Sequence, residues 1–219
     1  MARTARLSRP LIVSTALELV DRHGVEALTM RALARELGAD PMAVYRHVRD
    51  KEALLGALCD AVLADLAPFE PDRPWRPQVE RFAWELRDAL AARPSLAAVL
   101  AGAPVTPAAV VLTQQAIVLM TDQGVPLDHA LGGLSTVFAY IVGFAVTEAS
   151  LPDAAEGQDE LRRAALQHLG DPGTAPPHLD TAMQLVQTPA EFGFGLGLVL
   201  EGVERGASAT SPAGSASEP

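Results

Sequence analysis

Residues 28–51, LTMRALARELGADPMAVYRHVRDK, leave this chain few ways to fold. Met30, Leu33, Ala34 and Leu37 recur at i, i+3, i+4 and i+7, the apolar stripe of a short helix, and Thr29 stands where an N-cap hydroxyl is needed. Arg31, Arg35 and Glu36 fall on the opposite face. Gly38 comes where that helix must end, because glycine enters the left-handed region without a Cβ clash. Asp40 then offers a capping oxygen, and Pro41 a first-turn position where a missing N–H costs nothing. A helix predicted over 41–48 is too short to be stable alone. It turns Val44 and Val48 inward and leaves Met42, Ala43, Tyr45, Arg46 and His47 outward. Asp50 caps a further helix from Lys51, with Leu54, Leu55, Leu58, Val62 and Leu66 as its stripe. Two short helices across a glycine turn make a helix-turn-helix. A plain packed helical hairpin, with the arginines as a solvated face, has the same spacing.

Finer likeness separates the two. ALELVDRHGVEALT, MRALARELG, PMAVYRHV and DKEALLGAL follow one another, with Gly24, Thr29, Gly38, Tyr45, His47 and Lys51 at fixed intervals. Over 8–66 the chain closely resembles the DNA-binding domain of the tetracycline-repressor (TetR) family. The resemblance implies a double-stranded DNA operator as partner, read by the helix over 41–48 in the major groove. Carried over by position, it implies base-edge contacts for Arg31, Pro41, Met42 and Ala43, and phosphate contacts for Thr29, Tyr45, His47 and Lys51. Arg46 suits either class. An arginine such as Arg31 can take a guanine edge bidentately, and Met42 and Ala43 suit thymine methyls.

The net charge of −10 looks wrong for a DNA binder until it is divided by position. Residues 1–51 hold nine basic and six acidic side chains, a balance of +3, so the remainder carries −13. A basic head on an acidic body lets phosphate approach at one end only. Arg3, Arg6 and Arg9 read as a basic arm before the first helix, either a DNA-reaching arm or a solubilising tail.

The expected architecture is all-α. With roles implied by the resemblance, residues 1–49 form a three-helix reading head, 50–66 a connecting helix and 67–206 a larger helical ligand-binding and dimerisation domain; 207–219 read as a disordered tail without apolar residues beyond alanine. In the body, 67–77 reads as a linker, and helices are expected over 78–92, 96–103, 107–123 and 127–149, with a weak one over 158–169. Thr188-Pro189-Ala190-Glu191 is a capping box that opens a last helix. Gly193, Gly195, Gly197 and Gly202 each lower its helicity by about 1 kcal/mol. Close approach of another helix offsets that cost, either across a subunit interface or within one subunit.

ALGGLSTVFAYIVGFAV and EFGFGLGLVLEGVER resemble the C-terminal domain of the tetracycline-repressor branch. That resemblance implies a homodimer built on the last two long helices, with Leu131, Leu134, Phe192, Phe194, Leu196, Leu198 and Val199 at the interface. It also implies a small-molecule pocket, with Phe82, Leu86, Leu100, Val111, Gln115, Phe138 and Val142 as candidate walls. The branch holds a drug-bound magnesium through a histidine that would fall near Val99, where this chain has none. A small hydrophobic effector is therefore expected rather than a tetracycline–magnesium chelate, with no metal site and no cofactor. The implied mechanism is repression released by the effector. A regulator without an effector, or an activator, is the alternative.

No nucleophile–base–acid set, metal-spaced cluster or phosphate-cradling loop occurs, so an enzyme is not expected. His129, His168 and His178 lack metal-ligand spacing. No continuous apolar run approaches the roughly 20 residues that span a bilayer, and 1–4 open no signal-peptide core. A cytoplasmic protein with no membrane partner is the expectation. Cys59 reads as a small buried residue, with a reactive thiol as the minority alternative.

Overall fold

The computed structural model describes residues 7–102, 106–150 and 188–210, with the isolated positions 163 and 167. Among these there are nine α-helices and no strand. The head comprises α1 (Arg9–His23), a short 3-10 turn (Val25–Ala27), α2 (Met30–Glu36) and α3 (Pro41–Tyr45). Helix α4 (Lys51–Ala64) leads into the body, made of α5 (Trp75–Ala92), α6 (Pro94–Gly102), α7 (Pro107–Asp122), α8 (Leu127–Ser150) and α9 (Pro189–Thr210). Expectations for Arg3, Arg6, the weak helix over 158–169, His168, His178 and 211–219 lie outside the described residues.

The head forms where local chemistry directs it. Ser8, Thr29, Asp40 and Asp50 each accept a backbone N–H in the first turn of α1, α2, α3 and α4. Such a cap is worth about 1 kcal/mol. Gly24 (φ 74°) and Gly38 (φ 60°) make the turns, in a region a Cβ disfavours. Ile12, Ala16, Leu28, Leu33, Val44, Leu54 and Leu58 are almost wholly buried together. Each large side chain so buried contributes about 1.5–3 kcal/mol.

Several boundaries differ from expectation. Arg9 belongs to the first turn of α1, because Ser8 caps there, so it is not part of a free arm. Helix α3 ends at Tyr45, followed by a tighter turn from the His47 N–H to the Val44 carbonyl. Helix α5 begins at Trp75, since Pro77 is tolerated in a first turn. Helix α9 runs to Thr210, past the limit expected at Gly206.

Helix α8 also departs from the sequence reading. It is long and apolar enough by itself to cross a bilayer, with mean hydropathy 1.7. The sequence marks it as apolar on nearly all sides, but small residues interrupt its continuous apolar runs, so run length alone did not identify it as long enough to span. In the fold it packs against α5, α6, α7 and α9. Val137, Ile141, Phe144 and Ala145 face inward, while Gly132, Thr136, Ala139, Gly143 and Thr147 stay exposed as a stripe of small residues.

Glycines in α9 serve the subunit's own packing first. A Cβ on Gly195 would strike the Tyr140 ring, 2.6 Å from its Cζ, and one on Gly193 would lie 3.2 Å from Trp84 Cζ2. Phe192, fully buried, stacks on Tyr140 at 5.3 Å and meets Trp84 and Phe144 edge-on at 4.8 and 5.1 Å. The Tyr140 hydroxyl donates towards the Phe192 carbonyl at 3.1 Å, pinning the start of α9 to α8. Gly197 and Gly202 have open space beside them.

Candidate nucleic-acid interface and ligand cavity

At the head, the residues expected to meet DNA all reach solvent. Thr29, Arg31, Met42, Tyr45, Arg46, His47 and Lys51 are exposed, and Pro41 and Ala43 are half-buried. Met42 is 70% exposed. Val44 and Val48, interleaved with them, close on the core. Thr29 is also the N-cap of α2, its hydroxyl accepting from Ala32 N at 3.0 Å. Arg22 Nη2 donates to Glu36 Oε1 at 2.6 Å, tying the end of α1 to the end of α2 and holding the Glu36 carboxyl below its usual range. Asp50 is likewise lowered, chiefly by the Ala53 N–H and then by Arg49. It stays charged at the start of α4, beside Lys51.

In the body a cavity of about 650 Å³ opens between α4, α5, α6, α7 and α8. None of its lining residues carries an ionisable side chain. The deep walls are Leu63 of α4, Phe82 of α5, Leu100 of α6, Leu112 and Ala116 of α7 and Val137 of α8. Hydroxyl and amide groups come from Thr106, Thr113, Gln114 and Ser135; all except the buried Thr106 are exposed and lie towards the mouth.

Phe82, Leu100 and Phe138 of the expected pocket residues line this cavity. Leu86 and Val142 instead pack in the helix core. Val111 is 52% exposed and Gln115 lies off the cavity wall. On α7 the wall includes Ala109, Leu112, Thr113, Gln114 and Ala116, and Val111 and Gln115 fall outside it. Leu131 and Leu134, expected at a dimer face, line the cavity. Phe192 and Leu196 are buried within the subunit and Val199 packs beside them, whereas Phe194 (70% exposed) and Leu198 (55%) face outward.

Phe69 and Thr106 were missed by the sequence reading because both sit in loops. The buried Gln78 amide bonds Glu70 N at 2.5 Å and the Glu70 and Arg73 carbonyls, folding 67–74 back on α5 so that Phe69 meets Phe82 at 5.7 Å. A polar residue inside an otherwise ordinary helix stripe was the available signal.

Among the described residues no group of three His, Cys, Asp or Glu is placed to hold a metal ion. Cys59 is buried beside Leu63, and burial pushes its thiol up to about 11, which suppresses the reactive thiolate.

Comparison with known proteins fits this geometry. The family model described as bacterial regulatory proteins, tetR family, matches 12–58, and that of the tetracyclin repressor-like C-terminal domain matches 67–206. The class C tetracycline repressor protein of Escherichia coli is 32% identical over 209 residues, covering 91% of this chain and 92% of its own. ActR of Streptomyces coelicolor, solved with actinorhodin, aligns with a TM-score of 0.79 at 27% identity, covering 93% of this chain and 99% of its own. BioQ, solved with its double-stranded DNA operator, aligns at 0.65 and 27% identity, covering 91% and 99%. An exposed reading head joined to a body cavity, in a chain that both family models match, makes this protein a transcriptional regulator rather than an enzyme, and it belongs to the TetR family.

Proposed function

We propose that this chain acts in the cytoplasm as a homodimeric repressor that binds a palindromic operator and lets go when a small hydrophobic molecule enters the body cavity. The observation that carries the proposal is the neutral cavity of about 650 Å³ whose walls include α4, the helix that begins at Lys51 beside the head. A void of that size, bounded by Leu63, Phe82 and Leu112, forfeits packing that a closed core would have, and a ligand restores it. Uncharged walls favour an uncharged, largely apolar guest, with polar atoms directed to Thr113, Gln114 and Ser135 at the mouth. ActR, solved with actinorhodin, supports by analogy a small-molecule guest in such a cavity.

Two recognition helices one helical turn apart would read the palindrome. Arg31, Pro41, Met42 and Ala43 meet base edges, Thr29, Tyr45, His47 and Lys51 hold phosphates, and Arg46 reinforces either set. The dimer forms across the exposed small-residue stripe of α8 together with Phe194, Gly197 and Leu198 of α9. Such a stripe lets helices approach closely. The effector acts only through different affinities for the DNA-bound and released states.

The test is an operator selected from random duplexes, followed by titration with polycyclic drugs with and without magnesium. Release by a neutral polycycle, unaffected by magnesium, is expected. Release that requires magnesium contradicts the neutral-guest assignment, and failure to enrich any duplex contradicts the regulator assignment.

A further inference from the structure

Helix α6 belongs to both halves of the molecule. Leu100 and Ala101 line the cavity, while Leu96, 1% exposed, is part of the head's core and Val99 packs against both cores. At the start of α6, Arg93 pairs with Asp21 of α1: Nη2 donates to Oδ2 at 3.1 Å, and Nε lies 2.7 Å from Oδ1 as an ion-pair contact without hydrogen-bond geometry. The Ser95 hydroxyl accepts the Val25 N–H at 3.2 Å. The next residue of α1, Arg22, spans to Glu36 at 2.6 Å, and its Nε is braced on the Glu18 carbonyl at 3.2 Å. Glu36 ends α2, two residues before Gly38, whose left-handed turn aims α3.

We propose that these consecutive ion pairs, Arg93–Asp21 and Arg22–Glu36, relay the position of the cavity wall to the turn that sets the recognition helix. The inference rests on the reading that the cavity takes an effector, and names how its occupancy is regulated into DNA affinity. Arg93 is then a positioning residue, touching neither DNA nor guest. A guest that shifts Leu100 and Ala101 turns α6 about Leu96, and Asp21 follows Arg93. Because Asp21 and Arg22 share the last turn of α1, Glu36 moves with them. A separate link, from Ala108 N to Asp60 Oδ1 at 2.7 Å, joins α7 to α4. All four relay side chains are 30–48% exposed. Pairs so exposed contribute little to stability and are screened by salt, so the relay is dispensable for folding and its effect fades as salt rises.

The test uses the full-length protein and a cavity filled by mutation, so that no effector need be known. Ala109→Trp, from α7, places an indole in the cavity, with Ala101→Trp as a second filler should the first not fold. Operator affinity is measured for the filler alone and combined with Arg93→Gln, Arg93→Lys or Glu36→Gln. The filler is expected to weaken operator binding about tenfold, within the usual range of allosteric coupling. That penalty should fall below about threefold with Arg93→Gln or Glu36→Gln, return in part with Arg93→Lys, and shrink as salt rises. An equal penalty in every background, or no penalty from either filler, overturns the relay. If no operator can be selected, the functional reading fails by itself. The relay is then judged by hydrogen exchange of 30–37 with and without the filler, where indifference to Arg93→Gln overturns it.

Discussion

The recognition chemistry proposed for single residues predicts separable signatures on their removal. Arg31 is exposed on α2 and outside the head core, so Arg31→Ala should leave the circular dichroism spectrum unchanged. It should lower affinity for the cognate duplex by about 1–3 kcal/mol, read by titration at fixed salt. Equal affinity would remove Arg31 from the base contacts. Lys51→Ala should weaken binding to every sequence and flatten the salt slope by about one unit. Cys59 gives a pH signature instead. Its thiol is raised from 9.0 to about 11 in the fold, so its contribution to stability is intact below pH 9 and lost as pH rises towards 11. Chemical denaturation across that window should show the loss in the native protein and a smaller one in Cys59→Ala. Alkylation of Cys59 at pH 8 should be slow until the protein unfolds.

At the scale of elements, the glycines of α9 divide by what lies beside them. Gly195→Ala drives a methyl into Tyr140 and should cost about 1–3 kcal/mol in thermal unfolding. Gly197→Ala meets nothing within its subunit, so on helix propensity alone it should stabilise an isolated subunit by up to about 1 kcal/mol. If α9 lies against a partner there, the same change should instead weaken association, visible as concentration-dependent sedimentation. The head was legible residue by residue because caps and glycine turns act locally: Thr29, Gly38, Asp40 and Asp50 each determine a boundary through a single hydrogen bond or dihedral. The body was legible only as helices. Which stripe of α7 faces the cavity depends on how α4, α5 and α8 surround it. A one-residue error in phase therefore exchanged Gln115 for Gln114, and apolarity alone did not separate Leu131 at a cavity from Phe194 at a surface.

Across the whole molecule, charge and shape agree. The +3 balance of 1–51 against −13 for the rest predicts that operator binding is strongly salt-dependent while the body avoids DNA. Helix α3 is short and exposed and cannot by itself supply a large interface, which is why the proposal of two heads on one palindrome is central to the account. The most direct measurement is fluorescence anisotropy of the full-length protein titrated against a selected palindromic operator and against one isolated half-site, at equal low salt. The account predicts one dimer per palindrome and at least about a hundredfold weaker binding to the half-site. Equal affinity for the two duplexes, with one subunit bound to each half-site independently, would contradict it.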